Sequence, residues 1–272
     1  MTDYRNQARQ YLKQAQAELG TGDDARLRYT ALDLRFAMEA LTYDRALAYK
    51  AELPPSEYET WQPRKLMALL VEIDPNADKD SSIAIGIEES PGVPAAVMEP
   101  LGSETVFNLG LLKKHYDAIG SHLHMPTLKQ ATAAPPSPAK LRKRCEEVSA
   151  YIEKVLASPI WNSTLGIFAS GQCVNCNATI RKRMPHGQEK LIAECFECGA
   201  TYIVTDLGGG KVDFAPDTVE VRCGNKDCEE VFHLFKFELK AGNAWNCPTC
   251  KGQNILRLSV WQEPAADATP AT

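Results

Sequence analysis

The stretch CVNCNATIRKRMPHGQEKLIAECFEC, residues 173–198, begins and ends on a Cys-x-x-Cys pair, with 18 residues between its inner cysteines. Its reading decides the second half of the chain, because the same arithmetic returns about fifty residues later. Cys223 and Cys228 form a C-x4-C pair, another 18 residues follow, and Cys247 and Cys250 close a C-x2-C pair. Eight of the nine cysteines thus fall into two quartets: Cys173, Cys176, Cys195, Cys198, and Cys223, Cys228, Cys247, Cys250. Equal spacers at a fixed offset mark a tandem repeat of one unit.

Two thiolates two residues apart on a tight turn can face one ion. A hairpin between the pairs is expected to bring the second turn beside the first, so that each unit offers four sulfurs in the tetrahedral set structural zinc prefers. The expectation is two Zn2+ ions per chain, with His186 and His233 as bystanders. In the first spacer, NATIRKRMPHGQEKLIAE, extended arms flank Pro185-His186-Gly187. In the second, EEVFHLFKFELKAGNAWN, Phe235, Phe237 and Leu239 alternate with Lys236, Glu238 and Lys240 before Ala241-Gly242-Asn243. A further strand is expected after each, in ATYIVTDL and GQNILRLSVW. An iron–sulfur cluster would also accept four thiolates, but two separated hairpin pairs suit zinc better. Redox CxxC chemistry would want a βαβ context that is missing. Catalytic zinc needs a coordination position that four sulfurs close.

Four knuckle cysteines and three short strands per unit resemble zinc ribbons over residues 168–262. The resemblance implies that metal binding is part of folding, since about fifty residues bury too little core alone. It is nearly silent on task, because zinc ribbons serve as scaffolding in transcription factors, polymerases, ribosomal proteins and many enzymes.

The 272 residues suggest about two domains. The polar opening MTDYRNQARQYLKQAQAEL reads as helix rather than signal peptide. No apolar run is long enough to cross a bilayer. A cytoplasmic setting follows, in which thiols stay reduced and the sequons at Asn162 and Asn177 carry no glycan. Net charge is −5, divided as −5 over 1–130, +2 over 131–167 and −2 over 168–272. No segment is basic enough for non-specific nucleic-acid binding by bulk electrostatics.

The first part alternates differently. Helices are expected over 2–19, 24–51, 64–73 and 108–124, with Leu27, Ala31, Leu34, Met38 and Leu41 recurring at helical spacing in the second. The stretch 82–90, SIAIGIEES, shows strand-like alternation inside this region. The fold class is therefore α+β: a mainly helical domain (1–130), a Pro-rich linker (131–139), an amphipathic connecting helix (140–165), one zinc ribbon (166–214), a second (215–262) and a disordered tail (263–272). On the connecting helix Leu141, Cys145, Val148, Ile152 and Val155 step by 4, 3, 4 and 3. That stripe packs within the chain or makes a dimer seam, and Cys145 on it is a small buried hydrophobe.

Three of the five histidines lie in HYDAIGSHLH, residues 115–124. His115 and His122 are seven apart, a poor spacing for metal on a helix, where i, i+4 is wanted. The helix RLRYTALDLRFAMEALTYDRA followed by a later helix ending KKHYDAIGSHLH resembles HEPN-type domains of prokaryotic defence and toxin–antitoxin proteins, over residues 20–125 at most. That resemblance implies metal-independent RNA cleavage with a His assisting the ribose 2′-hydroxyl. The family carries Arg, four to six residues, then His. Here the nearest match is Lys114, seven residues, then His122, with Arg35 and Glu39 four apart on the long helix as a polar site or a simple ion pair.

On the first hairpin Arg181, Lys182 and Arg183 form a basic cluster that could grip phosphates or merely offset a negative zinc–thiolate centre. The sequence thus reads as a non-enzymatic zinc-binding protein that recognises nucleic acid, RNA or DNA, or a partner protein, in a defence or regulatory setting, with no membrane contact. The alternative is a HEPN-like ribonuclease, with His122 and Lys114 as catalytic residues and the ribbons presenting RNA.

Overall fold

The computed structural model describes residues 2–58, 62–90, 93, 95–125, 137–185 and 187–260. Residues 131–136 of the expected linker, His186 and the expected tail 263–272 lie outside them. The chain packs into two compact units, Met1–Gly166 and Ile167–Thr272. Helices fill the first and small antiparallel sheets the second, which is the α+β class expected.

In the first unit α1 (Tyr4–Gly20) starts where the Asp3 carboxylate accepts the Asn6 N–H at 2.9 Å. Arg5, Ala8, Leu12 and Ala15 are its buried stripe, laid along α2 (Leu27–Ala48). From Ala37 to Thr42 α2 is buried at six consecutive positions, so it is covered on all sides. It packs against α4 (Pro63–Ile73), α5 (Leu109–Gly120) and α6 (Pro138–Leu156), while the one-turn α3 (Pro55–Tyr58) leads into α4. Leu141, Cys145, Val148, Ile152 and Val155 of α6 all lie in this core, against α1, α2 and α5. Of the two partners the stripe allowed, packing within the chain is the one taken. The Cys145 thiol is pushed up to about 12 by burial and behaves as a hydrophobe. Strands β1 (Ser81–Ile85) and β2 (Glu99–Glu104) form a mostly exposed hairpin with an irregularity between Ile83 and Ala84.

A buried charge network ties this hairpin to the helices. Glu104 accepts from Arg45 Nη1 at 3.2 and 3.4 Å, from the Asn162 N–H at 2.6 Å and from the Ser163 N–H at 3.4 Å. Arg45 Nε donates to the Ala77 carbonyl at 2.9 Å. Asn162, left-handed at φ 56, turns its amide to the Asp44 carbonyl and carboxylate at 3.1 and 3.0 Å.

His115 on α5 is buried and its Nδ1 has no hydrogen-bond partner. Burial lowers its pKa, helped by the Arg144 and Lys114 charges and opposed by Glu147. A folded value below the unfolded 6.5 means that the unfolded chain binds the proton first. The stability contributed by neutral His115 is present above pH 6.5 and is lost as pH falls through the lower folded value. Comparing the thermal midpoint of His115→Gln with the parent between pH 7 and pH 5 should give a flatter profile in the variant; parallel profiles would refute the assignment.

The second unit corrects the expected strand pairing. β3 (Ile167–Gln172) pairs with β4 (Thr179–Met184), and β5 (Lys190–Glu194) pairs with β6 (Thr201–Gly208), which also pairs with β7 (Lys211–Pro216). β8 (Thr218–Arg222) pairs with β9 (Val231–Phe235), and β10 (Ala244–Asn246) with β11 (Gln253–Ile255). Each cysteine pair is therefore the tip of its own hairpin. The spacer between pairs is not one: β4 and β5 belong to different sheets. Nor does the alternation Phe235, Phe237, Leu239 continue as strand. The Glu238 carboxylate takes the Phe235 N–H at 2.7 Å, a donor a longer ladder would need, and the chain turns into a 3-10 helix over Lys236–Glu238.

Ala169, Ile180, Met184, Ala193, Tyr202 and Val204 form the core of this unit together with Cys173, Cys195 and, from the second repeat, Phe235. Phe235 lies 5.9 Å from the Tyr202 ring and 5.8 Å from Phe237, stacked on it.

Candidate metal centre

Three of the four cysteine pairs share one backbone form. In each, the first cysteine's N–H donates to the carbonyl five residues on: Cys173 to Ala178, Cys195 to Ala200 and Cys247 to Gly252, all at 2.8 Å. The residue after the second cysteine donates back to the first cysteine's carbonyl and is left-handed: Asn177 at φ 62, Gly199 at φ 77 and Lys251 at φ 63. This tight reversal is what lets two thiols two residues apart face the same point. The widened pair Cys223/Cys228 is built otherwise, with Cys223 N–H donating to Glu230 and Cys228 N–H to Asn225.

The hairpins bring the pairs together. Cys173 and Cys198 sulfurs are 3.6 Å apart and Cys176 and Cys195 3.5 Å; in the second quartet Cys223–Cys250 and Cys228–Cys247 are each 3.7 Å. Within each quartet all four ligand atoms lie within 4.8 Å of one another. Sulfurs at a zinc–sulfur distance of about 2.3 Å in a tetrahedron would stand about 3.8 Å apart. A disulfide would need about 2.0 Å, so the thiols gather without bonding. The two groups fit two zinc ions per chain, held by the eight cysteines. His233 is exposed on β9 and outside the quartets.

The thiols are poised for a cation. Burial raises Cys173, yet the Tyr202 hydroxyl and the Cys176 and Asn175 N–H groups outweigh it and bring the thiol down to about 6. The Gly252 N–H leads the groups that bring Cys250 to about 7. Cys176 and Cys228 rise to about 12 despite N–H bonds from Ala178 and Glu230, because burial and the neighbouring sulfurs prevail. Four thiolates cannot share such a space without a positive ion between them. A zinc ion held by all four sulfurs would have no position left for a substrate, so the chemistry it would supply is structural.

Sequence reasoning missed two residues beside the sulfurs. The Tyr202 hydroxyl donates to Cys173 Sγ at 3.2 Å and accepts the Val174 N–H at 2.9 Å. Asn254 Oδ1 accepts the Gly224 N–H at 2.8 Å and lies 3.6 Å from Cys223 Sγ. A signal was present: each stands four residues after the last cysteine of its quartet.

The other candidate residues are placed less tightly. Strand alternation splits the basic triplet of β4. Arg181 and Arg183 stack over the Phe168 ring at 3.9 and 4.7 Å, and Lys182 points to the opposite face. Arg181 is exposed, whereas Arg183 is 8% exposed. In the helical unit Lys114 is exposed on α5 and His122 lies past the helix end, eight residues and more than two turns away. Arg35 and Glu39 form the ion pair foreseen, at 3.3 Å, and Tyr116 joins them, donating to Glu39 at 2.6 Å and accepting from Arg35 at 2.7 Å.

Two tetracysteine groups at the tips of short β-hairpins are consistent with tandem zinc ribbons and define a zinc-binding protein. Compared with protein-family models, with curated proteins and with solved structures, the chain matches none. Among the described residues no helix is long and apolar enough to cross a membrane.

Proposed function

We propose that the chain is a non-enzymatic zinc-binding adaptor whose C-terminal unit recognises a partner protein, its two metals serving to hold the binding surface in shape. The observation that carries this reading is apolar surface left open on a small unit. Ile192 (61% exposed) and Ile203 (38%) are direct cross-strand neighbours on the outer face of β5–β6. Val174 (71%) and Phe196 (38%) occupy the same place in the two knuckles of the first quartet. Adjacent exposed apolar side chains such as Ile192 and Ile203 are the kind of surface a protein partner covers. Charge supports the choice: residues 168–272 carry −2 before metal is counted, and a zinc with four thiolates adds about −2 at each site.

One observation favours nucleic acid as a second reading. Arg181 is exposed and its guanidinium is held over Phe168, a pairing that suits a phosphate beside a stacked base. Two assays separate the readings. Partner capture by the full chain should be lost in Ile192→Glu while two zinc ions remain bound. Titration with single-stranded RNA and duplex DNA at low salt should show no binding. Salt-dependent binding that Arg181→Ala weakens would establish the second reading instead. Cleavage of RNA that disappears in His122→Ala would overturn the non-enzymatic assignment.

A further inference from the structure

The two quartets share a contact but not its chemistry. In each, the side-chain oxygen four residues past the last cysteine accepts the N–H that follows the first cysteine, and lies against that cysteine's sulfur. In the first repeat the oxygen is the Tyr202 hydroxyl. Its lone pair is engaged by Val174 N–H, so its proton is directed at Cys173 Sγ, 3.2 Å away. In the second it is the Asn254 amide oxygen, which has no proton to give. The Gly224 N–H at 2.8 Å needs an acceptor at that point and so fixes which way the amide faces. A cysteine bound to metal is a thiolate and cannot donate, so Cys223 Sγ meets the amide oxygen, 3.6 Å away, lone pair to lone pair. The amide's Nδ2, which could have served the sulfur, is buried without a partner.

Access to the first cysteine of each quartet differs as well: Cys173 is buried and Cys223 half-buried, while elsewhere in the first quartet Cys176 is exposed. Tyr202 is 1% exposed and seated between the Phe214 and Phe235 rings, so its hydroxyl closes over Cys173. Beside the second quartet a cleft of about 330 Å³ is lined by Cys223, Cys250, Trp245 and Asn254.

We infer that Tyr202 is a positioning residue that makes the first metal site inert, and that the second site, with Asn254 in its place, is the exchangeable one, yielding its metal first to small chelating or thiol-reactive molecules. This rests on the two-zinc reading of the quartets. Hydrogen bonds to metal-bound ligands typically change metal affinity by about 10–100-fold, and sulfur that receives a proton donor is the less basic and the less reactive.

The test uses the full chain. Metal analysis comes first; a content other than two zinc ions would be a failure of the zinc reading, not of the asymmetry. The loaded protein is then exposed to limiting 4-(2-pyridylazo)resorcinol with N-ethylmaleimide present, and alkylated cysteines are mapped by mass spectrometry over time. Cys223, Cys228, Cys247 and Cys250 should be modified about tenfold or more ahead of the first quartet. Tyr202→Phe keeps the ring and removes only the donor. It should speed modification of the first quartet by about 10–100-fold and leave the second quartet's rate unchanged. Equal rates in the parent chain, or the first quartet reacting first, would overturn the inference, and so would a Tyr202→Phe variant indistinguishable from the parent. Should that variant fail to fold, the order of modification in the parent decides alone.

Discussion

Stripping zinc from the full chain with a strong chelator at neutral pH will erase the strand structure of the C-terminal unit and leave the helices of the N-terminal unit folded. The sheets of that unit have two or three strands each, and two of the ten residues in its core are themselves ligands, Cys173 and Cys195. Sheets of this size do not hold together in water without help. Structural zinc supplies on the order of 10–16 kcal/mol per site at neutral pH, more than the whole stability of an ordinary domain at the low end of its range. Circular dichroism should therefore show helix retained, strand lost, and strand regained on adding zinc. Cys195→Ser should do the same to the first repeat alone, with bound zinc falling from two to one. Acid should act like the chelator, because only deprotonated thiols hold the metal. Strand signal and amide protection that persist in metal-free protein would refute this account.

The second large effect lies in the other unit. Replacing Glu104 by Ala is expected to cost the helical unit about 3–5 kcal/mol, the range for removing one partner of a buried pair. Glu104 is 4% exposed, and its loss strands the Arg45 guanidinium and the Asn162 and Ser163 N–H groups together. The denaturant midpoint of the helical signal measures this. Glu104→Gln, which keeps the shape and an acceptor oxygen, should cost less, and a midpoint unchanged in Glu104→Ala would show that water replaces the carboxylate at no cost.

What could be read in advance follows from how local each cause is. The quartets were legible because a knuckle needs its two cysteines at fixed spacing, and the duplicated spacer paired them. The α6 stripe was legible because its 4, 3, 4, 3 steps admit a single helix face. The strand partners were not. Alternation in NATIRKRMPHGQEKLIAE says which residues share a face of a strand, and nothing about which neighbour takes the backbone hydrogen bonds. Those went to β3 and β6, across the knuckles. The expected continuation of β9 past Phe235 failed at a single side chain, where Glu238 captured the Phe235 N–H. The split of Arg181, Lys182 and Arg183 onto two faces needed only that β4 be extended, and a consecutive basic run is a continuous patch only off a strand. Tyr202 and Asn254 carried the repeat's own period, yet their role depends on a hydroxyl or amide reaching sulfur on the neighbouring hairpin of the quartet, which spacing alone does not state.

Phe235 gives the duplication a different meaning from two beads on a string. Its ring comes from the second repeat but lodges in the core of the first, against Tyr202. Severing the chain between Pro216 and Thr218 would leave one half with an unfilled hole and the other with a homeless aromatic. Through this one ring the copies share a core, so the first repeat cannot be cut away from the second without opening a hole in its own interior.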